Sequence, residues 1–156
     1  MVKIAAATLD ALVHAIAADR PSPGAGAAAG VALALACACC AKALRISARH
    51  TEDPALAAQA DAAEQIALQA LASAQRDSDD FPALLSPDAG PQDQQTLAAD
   101  GQAALALCDQ LRLLLDAAAP HVTPELQGDL DAARHLLDAA EAIHRRNLAE
   151  LTPEAQ

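Results

Sequence analysis

The chain has 156 residues, a length suited to one domain, and apolar residues make up 53% of it, enough for a core. Its 21 acidic and 10 basic side chains give a formal net charge of −11, which argues against nucleic acid as a partner and fits molecules held apart in solution by like charge. Phe81 is the only aromatic residue, so the core must come from Ala, Leu, Val and Ile. With Ala and Leu dominant and β-branched residues scarce, the chain reads as all-α, a single-domain bundle of about five closely packed helices.

The N-terminal segment does not read as a secretory signal, because Asp10 interrupts the short apolar run after Lys3. Cytoplasm is then the default setting, with the four cysteines reduced. A first helix is expected from about Thr8 to Asp19, capped by Thr8, with Leu9, Leu12, Val13 and Ile16 on one apolar face. Pro21 and Pro23 end it.

The second helix is expected from near Pro23 to about Arg49. Its 20–42 segment has no charge between Arg20 and Lys42, which raises the question of a membrane span. Ala and Gly dominate it and contribute little to insertion, so it reads as a packing helix and no membrane is expected. Gly26, Gly30 and Ala34 recur every four residues, a face without side-chain bulk that another backbone can approach closely.

Asp53-Pro54, a cap followed by proline, opens a third helix running to about Asp80, with Leu56, Ile66, Leu68 and Leu71 as apolar positions. Pro82, Pro87, Gly90 and Pro91 mark a break and a loop. A fourth helix is expected from Asp93 to Ala118. Thr123-Pro124 opens a fifth, reaching Leu151, and the tail 152–156 is expected to fray. No internal repeat or second domain is evident.

Few residues carry obvious chemistry. Cys37 and Cys40 have CxxC spacing but sit in mid-helix, away from the helix N-terminus that lowers a thiol pKa, and no second pair exists to complete a zinc site. With Cys39 and Cys108 they read as small buried apolar residues. The glycines match neither a P-loop nor a dinucleotide fingerprint, and Gly24 and Gly26 read as permitting a tight helix entry. His14, His50, His121, His135 and His144 are too scattered for a metal site, and none is expected. Cations gather at two helix C-terminal halves: Arg45, Arg49 and His50, then His144, Arg145 and Arg146. Helix-dipole compensation and an anion site are both open readings of these clusters.

The segment "TLDALVHAIAADRPSPGAGAAAGVALALA" resembles the start of the formiminotetrahydrofolate cyclodeaminase and methenyltetrahydrofolate cyclohydrolase family. That family has a short amphipathic helix, a Pro-x-Pro-Gly-Gly-Gly-Ser turn and a small-residue helix ending in an Arg-Leu-Thr-like run. Pro21, Pro23, Gly24 and Gly26 match the turn, and Leu44 to Ser47 match the end. In "AQRDSDDF", Asp77 and Phe81 fill the places of a family Asp and the aromatic four residues on, and Asn147-Leu148 match an Asn-Leu in the closing helix. The chain departs from the family at Ala25 and Ala27 in the turn, at Pro124-Glu125 where the family has Ser-Asp, and at Ile143 where it has Asn. It is also shorter, mostly between Phe81 and Pro124.

The resemblance implies an all-α homodimer that closes or opens the one-carbon ring of formimino- or methenyl-tetrahydrofolate, a cyclodeaminase or cyclohydrolase. Folate would be its small-molecule substrate, with no separate cofactor. It implies Asp77 as the catalytic carboxylate, with Gly24, Gly26, Arg45, Arg145 and Asn147 contacting substrate. Asp77 should then share a cleft with Asn147 and the Gly24–Gly26 turn. The competing reading of Asp77 is a solvated acidic run with Asp79 and Asp80. The competing function is a non-catalytic helical relative with a structural or ligand-binding role.

Overall fold

The structure, a computed structural model, describes residues 3–151, so the tail 152–156 lies outside it. Five α-helices are present among the described residues: α1 Leu9–Ile16, α2 Ala25–Thr51, α3 Pro54–Leu84, α4 Pro91–Ala118 and α5 Gln127–Leu151. Single 3-10 turns, Ile4–Ala6 and Pro124–Leu126, precede α1 and α5. Helix α2 packs against α3 and α5, and α4 closes the ring by packing against α3 and α5 in turn. The result is an all-α four-helix bundle with α1 laid on its outside.

The α2–α3 pair depends on the face without bulk. A Cβ built on Gly30 would lie 2.7 Å from the Ala74 Cβ and 3.0 Å from the Ala70 carbonyl oxygen. Only glycine lets α3 come this close. On the remaining faces of α2, Leu33, Ala36, Cys37, Cys40, Ala43 and Leu44 are wholly enclosed. Helix α2 has the length and apolarity of a membrane span, and most of its apolar window is buried within the bundle.

Helix boundaries differ from the sequence expectations for identifiable reasons. Thr8 caps α1 by accepting the Ala11 amide, but α1 stops at Ile16 and not Asp19. Leaving the helix early lets the chain carry Ser22 across to α3. Of its four apolar residues, Leu12 is buried in a small cluster with Ile4, Ala27 and Ala74, Ile16 packs against that cluster, and Leu9 and Val13 are exposed. The apolar face is therefore narrower than the periodicity suggests. Leu68 of α3 is likewise exposed.

Helix α3 continues through Pro82 to Leu84, although proline was the expected stop after Asp80. Pro82 has no N–H to give to the carbonyl of Ser78, four residues back. The Ser22 hydroxyl donates to that carbonyl instead, and the Ser22 and Ser78 hydroxyls lie 2.9 Å apart. A side chain from the α1–α2 segment thus supplies the partner that Pro82 withholds.

Helix α4 starts at Pro91, two residues before Asp93, because the Asp93 carboxylate accepts the Gly90 amide at 2.9 Å. Asp53 caps α3 as expected, accepting the Ala55 amide at 2.8 Å. Thr123 makes no side-chain cap. Its amide donates to the Ser47 hydroxyl at 3.1 Å, and the chain makes one 3-10 turn before α5 begins.

Substituting Gly30→Ala should cost about 1–3 kcal/mol, since the opposing atoms are a helix carbonyl and a Cβ that cannot swing away. The midpoint of urea unfolding measures this. An unshifted midpoint would mean that α3 retreats without loss and that the close approach does not matter.

Candidate functional site

Alternate helices run in opposite directions, so one end of the bundle collects the start of α2, the end of α3, the start of α4 and the end of α5. A cleft of about 340 Å³ opens there. Gly24, Ala25 and Gly26 line it from α2, Ser73, Asp77 and Phe81 from α3, Leu97, Asp100, Gly101 and Ala104 from α4, and His144, Asn147, Leu148 and Leu151 from α5. Pro21 and Glu150 complete the lining.

Asp77 sits where α2 begins. Gly24 is the residue before the first turn of α2 and has no side chain to cap it. The Asp77 carboxylate does so from across the interface, accepting the Ala27 amide. It lies so close over Gly26 that a Cβ there would fall within the carboxylate. Gly26 thus leaves the space that the carboxylate occupies, and a side chain there would displace it. Burial raises the Asp77 pKa above the ordinary 3.8, the Ala27 amide opposes this, and the charges of Asp100 and Asp80 add to the rise. Asp79 is exposed, but Asp77 is only partly so. It is a cleft residue and not part of a solvated run.

The structure brings together four of the six residues singled out from sequence: Asp77, Asn147, Gly24 and Gly26. It does not bring in the two arginines. Arg45 is some twenty residues along α2 from the turn, about 30 Å at 1.5 Å per residue, and pairs with Asp61 and Glu64 of α3. Arg145 is exposed on α5 and pairs with Glu141, which also takes Arg112 of α4. Both cations are paired with carboxylates away from the cleft, and among the described residues no Lys or Arg lines it. Arg76, bonded to Asp100 at 2.9 Å, is the cation adjoining it.

His144 is the residue that motif reading passes over. It is 6% exposed, lines the cleft, and its Nε2 has no hydrogen-bond partner among the described residues. Burial holds its pKa below the ordinary 6.5, so the ring is neutral near pH 7. The signal was present in the spacing. Residues 144, 147, 148 and 151 follow the i, i+3, i+4, i+7 pattern, so a cleft containing Asn147 also receives His144.

The cysteines lie elsewhere. Cys37, Cys40 and Cys108 are fully enclosed, and burial pushes their thiols up to about 12, 12 and 11 respectively, which makes them poor nucleophiles. All four cysteines are free. Among the described residues, no group of three or more His, Cys, Asp or Glu side chains could hold a metal ion.

The profile of the formiminotransferase-cyclodeaminase family matches residues 8–148. The crystal structure of formiminotetrahydrofolate cyclodeaminase from Thermotoga maritima has the same fold. It superposes with a TM-score of 0.87 at 20% identity, covering 95% of this chain and 79% of that one. No curated protein matches the chain.

The two shifted groups of the cleft, His144 and Asp77, give opposite pH signatures. His144 has a depressed folded pKa, so the folded protein binds fewer protons than the unfolded chain, and stability present above pH 6.5 is lost as pH falls through the folded value. Asp77 has a raised pKa, so its contribution is largest below pH 3.8 and declines as pH rises through the folded value. Urea midpoints for wild type and His144→Gln across pH 4 to 8 should diverge, wild type losing more on the acid side. Parallel curves would show that His144 is not buried neutral.

Proposed function

The chain belongs to the formiminotransferase-cyclodeaminase family, and on that premise we propose that the cleft binds tetrahydrofolate carrying a one-carbon unit and closes or opens its ring. The observation that carries this reading is the convergence of Asp77, Asn147 and the Gly24–Gly26 turn, from three distant stretches of sequence, on one cleft. In the deaminase direction N10 attacks the formimino carbon. The new N10–carbon bond forms, the bond from that carbon to the amino nitrogen breaks, the N10 proton passes to that nitrogen, and ammonia leaves. The protonated formimino group and the methenyl product are both amidinium cations. In the hydrolase direction water attacks the same methenyl cation.

An acidic cleft suits that chemistry. Asp77 is the catalytic carboxylate, held at the start of α2 by the Ala27 amide and placed to face a cationic carbon–nitrogen unit. Asn147 offers a donor and an acceptor to orient the ring. The Gly24–Gly26 turn gives the ligand access to backbone. A cleft lined without Lys or Arg has nothing to hold the glutamate tail, which would project outward past Arg76.

That same lack of cations favours the second reading, a relative that binds a ligand without turning it over. Ala27 and Ile143 strengthen it. Ala27 is fully buried and Ile143 packs against the main core, so neither offers the cleft the polar group that the family pattern has there.

We also propose a homodimer in the cytoplasm, where free thiols persist. The small-residue face of Gly26 and Gly30 is already taken by α3 within the chain. The surface left for a second copy is a groove of about 410 Å³ between α2 and α3, lined by Val31, Leu35, Ala38, Leu68 and Leu71. Lys42, Arg45 and Glu64 flank it, paired within the chain as Lys42–Asp129 and Arg45–Glu64, so the apolar residues between them are what a second copy would cover.

Three measurements test these proposals. Titration with tetrahydrofolate should show binding, and failure to bind any folate would remove the folate reading. Asp77→Asn retains an oxygen for the Ala27 amide but loses the charge, so turnover should fall roughly a hundredfold or more with stability little changed. Unchanged turnover would end that role. Light scattering at micromolar concentration should give a dimer, with Leu35→Glu shifting it to monomer; a monomeric wild type would sink the assembly.

A further inference from the structure

We infer that His144 moves the proton in this cleft: its Nε2 takes the proton from the attacking N10 and delivers it to the departing amino nitrogen. This rests on the folate reading above. The deaminase step neither consumes nor releases a proton overall. The N10–H proton must reach the amino nitrogen before that nitrogen can leave as ammonia, and the substrate and product are equally charged. One group that takes and returns a proton within a turnover is enough, and it must start neutral.

His144 meets those requirements on geometry. It is more than nine-tenths buried, it lines the cleft on the same face of α5 as Asn147, and its Nε2 is unpartnered among the described residues. An unpaired buried ring nitrogen costs stability unless a ligand hydrogen bonds to it, and a ligand N–H is the group this cleft is proposed to receive. The charged and titratable groups lining the cleft with it are Asp77 of α3, Asp100 of α4 and Glu150 of α5; α2 contributes only Gly24, Ala25 and Gly26. Asp77 accepts the Ala27 amide and keeps its charge for the cationic substrate, Asp100 pairs with Arg76 and Glu150 with Arg146; His144 is the group more than nine-tenths buried, and with its proton on Nδ1 the unpartnered Nε2 is an acceptor. Burial keeps the imidazole in its neutral, proton-accepting form. A general base of this kind contributes about a hundredfold to ten-thousandfold.

The experiment compares wild type with His144→Gln, which retains a hydrogen-bonding side chain but cannot relay a proton. Formimino-tetrahydrofolate binding should stay within about threefold, while single-turnover deamination falls roughly a hundredfold or more. The acid limb of the wild-type rate profile should be absent in the variant. Wild type that binds no folate overturns the folate reading and this role with it. Wild type that binds but does not turn over leaves the binding site standing and overturns the proton relay. Equal turnover in His144→Gln overturns the relay alone. Should the variant not fold, nitrogen NMR of histidine-labelled wild type decides: the His144 Nε2 resonance should move on saturation with tetrahydrofolate, and an unmoved resonance overturns the role.

Discussion

The close approach of α2 and α3 is the constraint on which the rest of the structure depends. With one aromatic residue in the chain, large side chains cannot fill wide gaps between helices, so the helices must come together until Ala and Gly suffice. Gly30 permits contact with the Ala70–Ala74 turn of α3, and Gly26 permits the Asp77 carboxylate to reach the first turn of α2. These two contacts are one helical turn apart on the same face. The feature that packs the bundle is therefore also the feature that delivers Asp77 to the cleft.

A second device fixes the same end of the molecule. Proline at position 82 would ordinarily terminate α3 or leave the Ser78 carbonyl without a partner, and Phe81 lies one residue before it. The Ser22 hydroxyl satisfies that carbonyl. The helix can then continue far enough to bring Phe81 into the cleft wall, and the turn before α2 is tied to α3 at the point where the cleft begins. Polar satisfaction and placement of the site are achieved by one hydrogen bond.

What could be read from the sequence follows from how local each cause is. The Asp53-Pro54 start of α3 was legible because cap and proline act within a few residues. The small-residue face of α2 was legible because four-residue spacing needs only one helix. The extension of α3 through Pro82 was not, since its cause is Ser22, 56 residues away in sequence from Ser78. The exposure of Leu9, Val13 and Leu68 was also hidden: periodicity shows that a face is apolar, not how much of it a partner helix covers. In the site, motif resemblance led to Asp77, Asn147, Gly24 and Gly26. It attached Arg45 and Arg145 to an anion site because a cation-rich helix end looks the same whether it meets a ligand or carboxylates of the chain itself. His144 was counted among those cations, whereas burial makes it a neutral ring.

The electrostatics of the cleft rank its effects. Asp77 receives an amide hydrogen bond at a helix N-terminus, which favours its charged form, yet burial and the neighbouring Asp100 and Asp80 outweigh that bond and raise its pKa. Among the protein groups around it, the carboxylate is thus an acceptor short of positive charge. His144 cannot supply it, because burial depresses the imidazole pKa in the same enclosure. A cationic ligand would relieve both strains together: its charge would offset the burial of the Asp77 carboxylate, and its N–H would satisfy the His144 nitrogen. A neutral or anionic ligand would satisfy one at most. The asymmetry between an acidic wall and a neutral acceptor is the physical ground on which the amidinium group is proposed for this end of the bundle.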